Sequence, residues 1–225
     1  MSSVASDLFE QVITCSNAIA DHFKRTGHLV DYSTDPEFGI SDRLYVSDKY
    51  RRAHISIVDA RETKKLWLLH VTVFPHKNDP SPIYGFDIVA GPNKVSGAFH
   101  DFSAGGKTNH PMLGWFADQT VKLEWNKKRE LPEWAKNIFS SSMVAIGAVG
   151  AEELESFVKI GLKTLEYYLE NVGNTQGSGD FSKQQNNYCH YQKQNPHTPR
   201  VLVSLGFTEQ QAQDFVQHTL FPEIS

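Results

Sequence analysis

The chain has 225 residues, 40% of them hydrophobic and 21% charged, with a formal net charge of -4. That length accommodates a sizeable core, and the slightly acidic balance provides no global positive field to attract nucleic acid or a membrane surface. The two cysteines, Cys15 and Cys189, lie far apart in no CxxC or zinc spacing, and no apolar run approaches the ~20 residues of a membrane span. The N-terminus carries Asp7 and Glu10 and has no basic region leading into an apolar run, so it does not read as a signal peptide. The expectation is a soluble protein of the reducing cytoplasm with two buried thiols.

Leu8, Val12, Ile19 and Phe23 recur near helical spacing and predict an N-terminal amphipathic helix. Short alternating segments follow, centred on Tyr45, Ile55–Ile57, Trp67–Phe74, Ile83–Ala90 and Val95–Phe102. Turn-like clusters separate most of them (Asp59 to Glu62, His76 to Pro80, Gly91 to Asn93), too short for helical crossovers, so the strands should form an antiparallel meander. The period then changes. Leu154, Phe157, Val158, Leu162, Leu165, Leu169 and Val172 follow a helical rule, with Gly173 placed as a C-terminal cap. The run from Gly173 to Gly179 reads as a mobile loop, and two further helices are expected, the last opened by Thr208 with Gln211 as capping-box partner. A sheet followed by helices that cover its faces is an α+β sandwich.

Alternation places His54, Ser56 and Val58 on one face of their strand and Ile55 and Ile57 on the other. His70, Thr72 and Phe74 share a face of the next strand, and Ile83, Gly85, Asp87 and Val89 a face of the third. A histidine and a carboxylate inside strongly apolar strands are costly to bury unpartnered. The pattern leaves two readings open: a satisfied core histidine with a strand-edge carboxylate, or a ligand site on one sheet face. There is no GxSxG elbow, Walker loop, HExxH or complete GxGxxG fingerprint, so an enzyme here needs an unadvertised nucleophile or a substrate with its own redox chemistry.

The segment His70 to Ser103, HVTVFPHKNDPSPIYGFDIVAGPNKVSGAFHDFS, resembles the core of the ferredoxin-dependent bilin reductases. The likeness extends upstream through Arg51-Arg52-Ala53-His54. Downstream it runs through Arg129-Glu130-Leu131-Pro132-x-Trp134, Tyr188-Cys189-His190-Tyr191-Gln192 and Arg200-Val201-Leu202. It covers most of the chain and is strongest to the phycocyanobilin:ferredoxin oxidoreductase subgroup and its phage-type PcyX relatives. The resemblance implies a single domain over residues 1–225, a three-layer α/β/α sandwich with a central antiparallel sheet. Biliverdin would lie between the sheet and the C-terminal helices, and a [2Fe–2S] ferredoxin would deliver electrons singly, with no flavin, nicotinamide or metal held by the chain itself. A monomer is expected, with no nucleic-acid or membrane partner.

Position by position, the resemblance makes Asp87 the central catalytic aspartate, hydrogen-bonding the pyrrole nitrogens and lactam region. It makes His70 the histidine sharing a proton with it, and His54 the second histidine of the hydrogen-bond and water network. Ser96 and Arg129 match propionate-binding groups, and Trp134 and Asn195 fall near the pigment. Each has an ordinary alternative: Ser96 as a solvent-facing serine, Trp134 as core, and Arg129 with Lys127 and Lys128 as a solvated face or a docking surface for acidic ferredoxin. His76 reads as an exposed loop residue, and Gly85 as a gap that leaves room for a flat pigment.

Two departures stand out. Enzymes that make phycocyanobilin carry a glutamate two residues after the matching histidine, directed at the D-ring vinyl group; here Ser56 stands there, a hydroxyl with no acidic proton near neutral pH. The Asn-Asp of related enzymes is Asn195-Pro196, and the following lysine is His197. The resemblance with these departures implies reduction of biliverdin IXα to phycoerythrobilin through 15,16-dihydrobiliverdin. The alternatives are phycocyanobilin synthesis by another proton donor, or a carrier that binds bilin without reducing it.

Overall fold

The computed structural model describes residues 7–225. Asp7 caps the first helix, α1 (Leu8–Thr26), by accepting a hydrogen bond from Phe9 N, and its buried stripe contains Leu8, Val12, Cys15, Ile19 and Phe23. Seven strands follow: β1 (His28–Asp35), β2 (Ile40–Val46), β3 (Tyr50–Ala60), β4 (Leu66–Pro75), β5 (Ile83–Ala90), β6 (Val95–Ser103) and β7 (Val144–Ile146). They make one antiparallel sheet in sequential order, β1-β2-β3-β4-β5-β6-β7, the meander expected from the short connections. A one-turn helix α2 (Arg61–Lys64) joins β3 to β4, and α3 (Pro111–Thr120) and the one-turn α4 (Glu133–Lys136) lie between β6 and β7.

The second half is helical: α5 (Ala151–Asn171), α6 (Ser182–Gln192), α7 (His197–Leu205) and α8 (Glu209–Asp214), then a π-helical turn over Phe215–Leu220. Each face of the sheet carries its own core. Ile55, Val71, Val73, Phe86 and Ile88 pack with α1, α3 and α5. Phe74 and Ile83, on the other face, pack with Tyr188, Cys189, Leu202, Ala212, Val216, Leu220 and Phe221 from the C-terminal helices. This is the expected three-layer sandwich. Helix α5 seats closely because Gly161 faces Phe86, where a Cβ would come within 2.2 Å of the ring.

The capping box of Thr208 and Gln211 forms as expected, and Cys15 and Cys189 are both free and buried. No described helix is long and apolar enough to cross a membrane. Four expectations need correction. Strands β1 and β7 and helix α3 had no counterpart in the predicted elements, and three helices plus the π turn, not two helices, follow the loop. The Gly173 to Gly179 loop is tied down: Asp79 accepts from Gly173 N and Thr175 Oγ1, and Gly177 N donates to Asn78 O. His76 is half-buried, its Nε2 3.0 Å from Ser47 O.

Candidate active site

Register brings the polar strand residues together. Ser56 pairs with His70 across β3 and β4, and His70 pairs with Asp87 across β4 and β5, so the three form one row perpendicular to the strands. One row away, His54 pairs with Thr72 and Thr72 with Gly85. Directly opposed side chains of an antiparallel pair share a face and sit close enough to interact. His70 Nδ1 and Asp87 Oδ1 are 2.5 Å apart, with side chains 18% and 35% exposed. The pair is therefore open on its Asp87 side and sheltered on its His70 side.

A second carboxylate lies at the other end. Asp42 on β2 pairs with Ser56, which extends the row to Asp42, Ser56, His70 and Asp87. Its Oδ1 stands 3.0 Å from His54 Nε2, and both side chains are buried. The contact is close, but it is not aligned as a hydrogen bond. Burial lowers the His54 pKa to about 4, because a cation there would lose its hydration; the neighbouring Asp42 carboxylate opposes this in part, while Arg52 and His70 push in the same direction as burial. The two imidazole centroids are 6.3 Å apart. His54 Nδ1, His70 Nε2 and Thr72 Oγ1 are all buried and have no hydrogen-bond partner within the described residues. Buried polar atoms are normally satisfied, and three neighbouring exceptions on one face suit a bound polar molecule.

The C-terminal layer roofs this face with aromatic rings. Phe221 meets His70 edge-on at a centroid distance of 5.4 Å, and Tyr188 packs against Phe74 at 5.8 Å and Phe221 at 6.4 Å. The segment carrying Phe221 is tied to α6 through Asn186, which both donates to Ile224 O and accepts from Ile224 N, and through the Lys193–Glu223 ion pair. Arg52 donates to Thr219 O beside it. The gap expected at Gly85 is filled: the Tyr188 hydroxyl lies 3.5 Å from where a Cβ would stand.

The remaining predicted residues fall at the rim. The Arg129 guanidinium lies 5.6 Å from the ring centre of Phe99, the cross-strand partner of Asp87, so Arg129 borders the row. Ser96 is exposed and donates to Val89 O. Trp134 is half-buried against Phe139, which packs on Tyr188, placing it in the aromatic roof. Asn195 is not gathered with the others; it accepts from His197 N and donates to Thr198 Oγ1 in the turn just before α7. Sequence reasoning missed Asp42, Thr72 as a site group, Tyr188 and Phe221. The available signal for Asp42 was its place two residues after Ile40 and two before Leu44 on one face of β2.

A family model for ferredoxin-dependent bilin reductases matches residues 10–222. Phycocyanobilin:ferredoxin oxidoreductase of Prochlorococcus marinus (strain SARG) is 32% identical over 199 residues, 84% of this chain and 78% of the relative. The Synechococcus enzyme of the same name (strain CC9902) is 33% identical over 196 residues, 81% of this chain and 75% of the relative. Among solved structures, a PcyX protein superposes with a TM-score of 0.70 at 29% identity, over 95% of this chain and 99% of that one. Tomato phytochromobilin synthase, solved with biliverdin, shares the fold at 12% identity, with a TM-score of 0.71 over 95% of this chain and 82% of that one. With the family match spanning nearly its whole length, the chain belongs to the ferredoxin-dependent bilin reductases.

Proposed function

We propose that this chain reduces biliverdin IXα to phycoerythrobilin through 15,16-dihydrobiliverdin, as a cytoplasmic monomer taking electrons one at a time from reduced ferredoxin. Each of the two stages adds two electrons and two protons to the pigment. The protein's part is to hold the bilin against the sheet, supply protons and keep bulk water from radical intermediates. The observation that carries the reading is the row Ser56, His70, Asp87: a close acid–base pair next to a hydroxyl, at the position where phycocyanobilin-forming enzymes carry a glutamate.

In this reading Asp87 meets the pyrrole nitrogens and lactam region from its exposed side, and His70 shares its proton across the 2.5 Å contact. His54 completes the polar floor, Arg129 and Ser96 receive the propionates at the rim, and Trp134 bounds the pigment. Pigment entry requires the Phe221 and Tyr188 roof to shift, since both rings now lie over this face.

Phycocyanobilin is the second reading. It is favoured by the names of the curated relatives and by Asp42, a carboxylate one strand from Ser56. Anaerobic turnover with reduced ferredoxin, followed by chromatography of the pigment, separates them. Phycoerythrobilin as the main product is expected; phycocyanobilin would overturn the product assignment, and unreduced bound biliverdin would leave a carrier.

A further inference from the structure

The histidine buried deepest in the site has its own carboxylate. His54 is 2% exposed and Asp42 7%, and His54 Nε2 faces Asp42 Oδ1 at 3.0 Å. The atom on the other side of the ring, Nδ1, is buried and has no hydrogen-bond partner among the described residues. Asp42 belongs to a different strand from every residue assigned a role above, and it lies in the same cross-strand row as Ser56, His70 and Asp87.

We propose that Asp42 is a positioning residue: its negative carboxylate oxygen, 3.0 Å from Nε2 though out of line for a hydrogen bond, holds the hydrogen of His54 on Nε2 electrostatically, so that bare Nδ1 meets the substrate as a hydrogen-bond acceptor. The ligand group this suits is an N–H of a pyrrole or lactam ring, which needs an acceptor on the floor of the site. This rests on the reading that the substrate is a bilin. A carboxylate behind one ring nitrogen sets which tautomer the other nitrogen presents. Burial supports the same picture, since it keeps this imidazole neutral at working pH, with a single ring hydrogen to place. The two histidines then divide the work. His70 is tied through Nδ1 to Asp87 and presents Nε2, whereas His54 faces Asp42 through Nε2 and presents Nδ1. The protein thereby offers the pigment a mobile proton at one ring and a fixed acceptor at the other.

Nitrogen-15 NMR of the histidine rings in the ligand-free protein tests the claim without any bilin. Wild-type His54 should show the Nε2–H tautomer, Asp42→Asn should keep it through the amide oxygen, and Asp42→Leu should give a mixture. With biliverdin bound and no ferredoxin, Asp42→Leu should move the pH midpoint of the pigment's absorption change, and its kcat should fall about 10–100-fold with Asn partly rescuing. A wild-type Nδ1–H tautomer overturns the proposal whether or not the leucine variant folds. So does a leucine variant with wild-type tautomer, midpoint and kcat. Failure of the wild type to bind or reduce biliverdin, with the Nε2–H tautomer present, would instead sink the assigned substrate.

Discussion

His70 and Asp87 oppose each other directly across β4 and β5, and their side chains close to 2.5 Å, the shortest separation between charged or chargeable groups on this sheet face. Directly paired positions on one face leave little freedom for the contact, because the backbone ladder fixes both Cβ atoms. The pair is held by secondary structure rather than by a loop, which suits the constant geometry that the proposed proton transfer requires.

Asp87→Asn keeps the shape of the side chain and removes the acid. Biliverdin binding should persist, while turnover should fall about 10²–10⁴-fold, the usual loss for a positioned acid. His70→Gln should be slower than wild type yet retain turnover, because glutamine still hydrogen-bonds the carboxyl. Anaerobic turnover with binding spectra checks both. Near-normal product formation by Asp87→Asn would move the proton donor to another group of the row.

Ser56→Glu tests the product assignment. Ser56 lies between Asp42 and His70 in the register, so a glutamate there projects a carboxyl into the same row. Product should begin to divert toward D-ring vinyl reduction, read as a new chromatographic peak. Absence of diversion would mean that the pocket around the ring, rather than this one acid, decides the outcome.

The faces of β3, β4 and β5 were legible because period-2 alternation is strong in HISIV and HVTVF, and the polar residues interrupt it on one side only. Register was not legible. Alternation tells which face His70 and Asp87 occupy, but the finding that Ser56 and Asp87 both pair with His70 needed the ladder. Asp42 was hidden because Ser41, Asp42 and Arg43 form a polar run, and acids in such runs are mostly exposed. Strand β1 escaped notice because it is exposed nearly throughout, so no face carries a hydrophobic signal. The filling of Gly85 by Tyr188 and the cover of His70 by Phe221 join segments more than 100 residues apart in numbering, which no local pattern encodes. The individual roles of Ser96, Arg129, Trp134 and Asn195 came from the family likeness, not from periodicity.

Arg129 and its neighbours Lys127 and Lys128 are exposed, but they should separate functionally. Arg129 lies over Phe99 beside Asp87, so Arg129→Ala should weaken biliverdin binding by about 10–100-fold, the loss of a charged hydrogen bond, with little change in the ferredoxin KM. Reversal of Lys127 and Lys128 to Glu should leave biliverdin binding intact. It should raise the KM for ferredoxin on the order of 10-fold at low salt, an effect that fades as screening shortens to about 8 Å at physiological ionic strength. Titration of each partner against both variants checks the division. Turnover insensitive to salt and to the lysine reversals would place the ferredoxin surface elsewhere.

The pH dependence of stability should depend on His100, a histidine outside the site. Its ring is fully buried on the opposite face among Tyr84, Phe86, Phe102 and Phe116, with Nδ1 2.8 Å from Gly85 O and Nε2 2.7 Å from Thr164 Oγ1. Burial lowers its pKa to about 4 against an ordinary 6.5, the hydrogen bond to Gly85 opposing only in part. Between those values the unfolded chain binds a proton that the folded protein refuses, so the stability present above pH 6.5 is lost as pH falls toward 4. The loss amounts to about 3 kcal/mol over that interval, at roughly 1.4 kcal/mol per pH unit. Asp101 works in the opposite sense: burial raises its carboxyl to about 6, hydrogen bonds from Ser140 and Ser103 opposing, so the folded state takes up a proton first and gains stability as pH falls below 6. His100→Gln keeps a hydrogen-bonding amide and removes the titration. The variant should be less stable than wild type at pH 7 yet lose about 2–3 kcal/mol less on going to pH 4.5. Denaturant midpoints at the two pH values measure this directly, and equal losses in both proteins would show that His100 takes up its proton in the folded state.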